Sequence, residues 1–147
     1  YQIVEKGPFT VVGIKKRFSA ETGYREIPKF WNEWMSDMKG LKGMFGVCSD
    51  MDGKTFDYWI ADLYIPWENY PEDCRTYQIP GGLWAQFRCK GALPDAMQTV
   101  NTQIWSEWLP SLQGYTLAGN YSLEFYLPPA EEPAETVSYI CIPLKKL

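Results

Sequence analysis

The tetrapeptide Trp-x-Glu-Trp occurs twice, as Trp31-Asn32-Glu33-Trp34 and Trp105-Ser106-Glu107-Trp108, offset by 74 residues in a chain of 147. Four of the seven tryptophans fall in these two copies, and a rare residue repeated at half the chain length marks an internal duplication. A chain built this way folds as two like units, and a site shared by both lies where they meet.

The residues around each copy give the units the same order. In the first, the β-branched run Phe9 to Phe18 precedes an apolar comb at Ile27, Phe30, Trp31, Trp34, Met35 and Met38, whose i, i+3, i+4, i+7 spacing predicts a helix over 27–39. Pro28 suits a first turn, and Gly40 offers a left-handed stop. Phe45 to Ser49, the turn Asp50-Met51-Asp52-Gly53 and the run Phe56 to Ile65 then read as a hairpin. In the second unit, Gly81-Gly82 opens a strand over 83–90, and a helix begins at Pro94 with the stripe Leu93, Met97, Val100, Ile104 and Trp108. Pro110 is expected to end that helix, and strands follow over 121–127 and 137–144. The expectation is a single α+β domain over 1–147 with two internal repeats, about 9–66 and 81–144. Each repeat is a strand-helix-strand-strand unit. The units share an antiparallel sheet with both helices on one face, a pseudo-twofold axis and a ligand groove between them, and residues 66–80 serve as linker. The Trp-x-Glu-Trp motifs read as helix faces pinned on the sheet, core instead of site.

Composition removes whole classes of chemistry. The chain has no histidine, which excludes Ser-His and Cys-His nucleophilic catalysis and most zinc catalysis. Cys48, Cys74, Cys89 and Cys141 lie far apart with no C-x-x-C pair, and read as buried, reduced thiols. Gly40, Gly43 and Gly46 punctuate a helix end and form no phosphate loop. No cofactor and no metal are expected. A net charge of −4, with basic runs only at Lys15-Lys16-Arg17 and Lys145-Lys146, argues against nucleic acid as this chain's own ligand. With no membrane-length apolar segment and no signal-peptide pattern, the chain is expected to be soluble and cytoplasmic. Because it starts inside a strand-like run without an initiator methionine, it also reads as a piece of a longer protein.

Aromatic residues make up 16% of the chain, in excess of what a core of this size needs. Alternation along the strand over 121–127 sets Tyr121, Leu123, Phe125 and Leu127 on one face and Ser122, Glu124 and Tyr126 on the other. The apolar faces are expected to pack under the helices. The mixed faces, with Tyr58, Tyr64, Glu124, Tyr126 and Tyr139, are expected to line the groove, with Trp84 as a further stacking wall. A carboxylate among tyrosines has three readings: a solvated residue, the counter-charge for a cationic ligand, or a base with a raised pKa.

Taken in order, Phe9 to Phe18, Ile27-Pro28-Lys29-Phe30-Trp31, Phe56-Asp57-Tyr58, Ile79-Pro80-Gly81-Gly82, Trp105-Ser106-Glu107-Trp108-Leu109-Pro110, Leu123-Glu124-Phe125-Tyr126 and Ile142-Pro143-Leu144-Lys145-Lys146 resemble the GyrI-like effector-binding domain. The likeness is greatest to the form at the C-terminal end of AraC-type transcription regulators. That resemblance implies a groove for amphipathic, aromatic or cationic small molecules, with Glu124 and Tyr126 matching the family's Glu-x-Tyr strand. Tyr139 stands where many members carry a second acid, which leaves one acidic residue in the groove. It further implies that DNA is reached only through a helix-turn-helix domain absent from this chain. The alternative is a stand-alone hydrolase in which Glu124 activates water, and a third reading is a module that binds a protein partner.

Overall fold

The computed structural model describes residues 1–37, 43–128 and 130–147. Among these, nine strands form one antiparallel sheet. They are β1 (Gln2–Lys6), β2 (Phe9–Ser19), β3 (Phe45–Ser49), β4 (Thr55–Leu63), β5 (Arg75–Ile79), β6 (Gly82–Lys90), β7 (Tyr115–Leu117), β8 (Ser122–Tyr126) and β9 (Val137–Lys146). Helix α1 (Gly23–Asp37) joins β2 to β3, and α2 (Asp95–Gln103) follows β6.

The strand order is β1-β6-β9-β8-β3-β4-β2-β5, with β7 added beside β9. It reads the same from either end once each unit's strands are matched, because β2, β3 and β4 of the first unit take the places of β6, β8 and β9 of the second. The units meet at the β3–β8 pair, where Phe45 faces Phe125 and Gly46 faces Glu124. This is the α+β architecture of two strand-helix-strand-strand units.

Both helices lie on one face. Phe30 and Trp34 of α1 pack with Phe18, Tyr58 and Ile60, while Met97 of α2 and Ile104 pack with Ala85, Ile140 and Ile142. The register joins the two sets, since Cys48 pairs with both Tyr58 and Ser122, and Glu124 pairs with Ile140. The helices touch where the Gln98 side-chain amide donates to the Tyr24 carbonyl at 2.8 Å. Helix α1 starts four residues before the expected Ile27, and Met38, Lys39 and Gly40 lie outside the described residues. Pro110 does not end the second helix. A π turn over Ile104–Trp108 carries it on to Ser111, and this wider turn takes the proline ring that would otherwise strike the preceding turn's carbonyl.

The helix-free face is also a core. Val11, Val47, Trp59, Ala61, Ile79, Trp84, Leu123 and Cys141 cluster there, because the sheet curls until its ends approach. Only Pro80 and Gly81 separate β5 from β6, although they stand near opposite ends of the strand order. That crossing rests on the other one, Gly7-Pro8, so closely that a Cβ at Gly81 would come within 2.8 Å of the Pro8 ring. The stretch 66–80 is therefore not only linker: β5 within it pairs with β2 as an edge strand.

Candidate functional site

Residues from four elements converge on the helix-bearing face, at the joint between the units. Glu124 and Tyr126 come from β8, Tyr58 from β4, Trp31 from α1 and Met97 from α2. Strand β3 separates β8 from β4, so a contact between Glu124 and Tyr58 has to pass over it. Gly46 makes that possible: a Cβ there would collide with both Glu124 Oε1 and Tyr58 Oη. Over this gap the Tyr58 hydroxyl donates to Glu124 Oε1 at 2.5 Å, and the Tyr126 hydroxyl donates to the same oxygen at 2.6 Å. The Trp31 indole N–H donates in turn to Tyr58 Oη at 3.0 Å. The Trp31 ring meets the Tyr126 ring edge-on at 5.2 Å, and Met97 Sδ packs 3.3 Å from the Tyr126 hydroxyl.

Burial governs the electrostatics. It raises the Glu124 pKa above the ordinary carboxylate value, against the opposing pull of the hydrogen bonds from Tyr126 and Tyr58. Burial and then the negative charge of Glu124 push both tyrosines well above their usual range, so their hydroxyls remain donors. The Cys48 thiol is pushed up to about 12 by burial and then by Glu124, which removes it as a nucleophile. Among the described residues no lysine or arginine pairs with Glu124, and no cluster of three metal-ligating side chains exists. The arrangement is a carboxylate held by neutral donors under an aromatic roof, able to accept a positive charge or a proton.

Of the six expected site residues, the fold brings together Glu124, Tyr126 and Tyr58. The other three are elsewhere. Trp84 is 1% exposed in the core of the opposite face, edge-on to Tyr121. Tyr139 faces the same way, because Phe125, not Glu124, is its register partner. Tyr64 lies past the end of β4, 37% exposed and packed on Tyr70. The mixed face that carries Glu124 is the helix-bearing one, opposite to expectation. Both faces are buried, so the apolar content of a strand's two faces did not tell which one the helices cover.

Two further residues complete the site. Trp31 had been assigned to the core, yet its ring closes over the tyrosines while Trp34 takes the fully buried place. Its position at the edge of the apolar stripe and its indole N–H were the available signal. Gly46, expected to punctuate a helix end, is the gap in β3 described above. In the second motif copy Trp108 meets Phe87 edge-on at 4.8 Å, whereas Trp105 is 37% exposed and bonded to Asn101.

The same fold recurs in solved structures. SAV2435 bound to tetraphenylphosphonium aligns over 99% of this chain and 93% of its own, with 19% identity and a TM-score of 0.80. The integron cassette protein VCH_CASS2 from the mobile metagenome of Vibrio cholerae aligns over 98% and 95%, with 14% identity and a TM-score of 0.75. The EcmrR C-terminal domain aligns over 99% and 97%, with 19% identity and a TM-score of 0.64. In the EcmrR–DNA complex the match spans 57% of that longer chain. No curated protein matches the sequence. A sequence profile of the integron-associated effector-binding proteins, Cass2, matches residues 2–143, and the chain belongs to that family.

Proposed function

We propose that this protein binds an amphipathic, aromatic cation between its two helices, with Glu124 as the counter-charge and Tyr58, Tyr126 and Trp31 as the surrounding rings. The observation that carries this reading is the carboxylate at the joint of the units, desolvated, bonded only to neutral phenols, and without a cationic partner among the described residues. A desolvated carboxylate in that state gains from an incoming positive charge, and aromatic faces add cation–π attraction. That SAV2435 is bound to tetraphenylphosphonium, an aromatic cation, supports the choice of class. Trp31 closes the cleft, so entry of such a ligand requires its indole to leave Tyr58.

The likeness to the C-terminal domain of EcmrR, a protein also solved in complex with DNA, supports reading this chain as the ligand-sensing part of a transcription regulator; the cytoplasmic, multidrug-type, AraC-class form of that reading rests on the motif resemblance alone. DNA contact then belongs to a separate helix-turn-helix segment. Hydrolysis is the second reading, favoured by the raised pKa of Glu124, which suits a general base.

A rhodamine dye titrated against tryptophan fluorescence tests the binding. Glu124→Gln should lower cation affinity by roughly 1–3 kcal/mol, the scale of a charged hydrogen bond, and leave a neutral aromatic unaffected. Equal dissociation constants for the dye would exclude Glu124 as counter-charge. A variant that still binds but no longer turns over an added ester favours the hydrolase.

A further inference from the structure

The helix-free face holds a concave feature of opposite character. A cavity of about 380 Å³ opens there between the end of β1, the starts of β2 and β3, and β8, β9 and β6. One wall is a file of rings, Phe9, Phe45, Phe125 and Tyr139, with successive centroids 5.8, 5.4 and 6.4 Å apart. The register makes the file, because Phe45 pairs with Phe125 and Phe125 with Tyr139, while the Gly7-Pro8 crossing swings Phe9 over Phe45. Among the described residues, the lining that is not purely hydrocarbon consists of Lys6, Gln86, Tyr139 and Cys141, and no carboxylate lines the cavity.

Lys6, Gln86 and Tyr139 can each donate a hydrogen bond, and Lys6 can only donate. Among the described residues Lys6 has no ion pair. Among the described residues the Gln86 side-chain oxygen is met only by a long 3.8 Å contact from the Cys141 thiol, and its amide N–H groups can donate to a ligand. An ammonium, an amide and a phenol beside stacked rings match an anion carried on a flat apolar body. A single lysine is too little charge for a polyanion such as nucleic acid, and the volume lies at the lower end for small-molecule sites, fitting one or two fused rings.

We propose that this cavity is a second binding site, for a small aromatic carboxylic acid in its ionised form, with the ring against the phenylalanine file and the carboxylate on Lys6. The site stands independently of the Glu124 reading and selects the opposite charge. Calorimetric titration with naphthoate and with the uncharged naphthalenemethanol tests it. Naphthoate is expected to bind more tightly than the alcohol. Lys6→Met should weaken naphthoate about tenfold or more, the effect of losing one charged hydrogen bond, and Lys6→Arg should restore most of it. Binding of the alcohol should not respond to either change, which also shows that the variants are folded. Equal naphthoate affinity in wild type and Lys6→Met, no binding at millimolar naphthoate, or displacement of naphthoate by the carboxylate-free cation tetraphenylphosphonium would each overturn the proposal.

Discussion

Gly46 on β3 stands directly opposite Glu124 on β8, and its missing side chain is what lets Tyr58 reach that carboxylate from the strand beyond. Gly46→Ala puts a methyl group into Glu124 Oε1 and Tyr58 Oη. Overpacking of this kind costs about 1–3 kcal/mol, so urea unfolding should show a lower midpoint. Tyr58→Phe takes away the hydroxyl that the methyl strikes. The double variant should therefore be less destabilised than the two single changes added together, and strict additivity would show that the contact is not shared.

Glu124 gives stability a pH dependence of definite sign. Its folded pKa lies above the ordinary 4.5 because burial outweighs the tyrosine hydrogen bonds. A pKa raised on folding means the native state favours the protonated form, so the contribution is full below 4.5 and is lost as pH rises through the folded value. The stability of wild type relative to Glu124→Gln should fall across that window. Tyr58→Phe removes one of the bonds that oppose burial and should shift the window to higher pH. Unfolding titrations in acid through neutral buffer measure this, and a flat or rising difference contradicts it.

How far these residues could be read in advance depended on the kind of information each required. The paired Trp-x-Glu-Trp motifs, the 3.6-residue comb of α1 and the alternation of β8 are local, and they yielded the two units and the Glu124–Tyr126 pair. Tyr139 went astray because alternation separates the two faces of one strand without saying which face matches its neighbour's. That takes register, and register is a tertiary quantity. Strand β5 was absorbed into a linker because only Tyr77 and Ile79 of its five residues are even partly covered, too short an alternation to stand out from a proline-rich stretch. Trp31 and Trp34 look alike in the sequence. Only the packing of α1 shows that one fills the core and the other roofs the carboxylate.

Three of the four thiols should be inert in the folded protein. Burial raises Cys48 to about 12 and Cys89 and Cys141 to about 11, so the thiolate population at mildly alkaline pH is small. Alkylation by iodoacetamide followed by mass spectrometry should leave these three unmodified until denaturant is added. Rapid native labelling of Cys48 would mean that the Glu124 cleft opens readily.

This chain alone should not bind duplex DNA. With a net charge of −4 it lacks the clustered cations whose counterion release drives such binding. Gel retardation at micromolar protein and about 0.1 M salt should show free DNA only, and a clear shift would mean that the chain carries its own DNA-binding surface.

Strand β8 turns Glu124 and Tyr126 to the helices and Leu123 and Phe125 to the other face, along the seam where a strand of one unit pairs with a strand of the other. A slip of one residue in that pairing would carry the carboxylate into the cluster of Val47, Trp59 and Trp84, out of reach of the Tyr58 hydroxyl that donates to it in the native register. Such a misalignment strips a buried carboxylate of that hydrogen bond, at a cost of about 1–3 kcal/mol. The acidic side chain thus doubles as a lock on assembly: it lets the halves of the molecule join in one alignment and penalises the neighbouring ones, before any ligand is present.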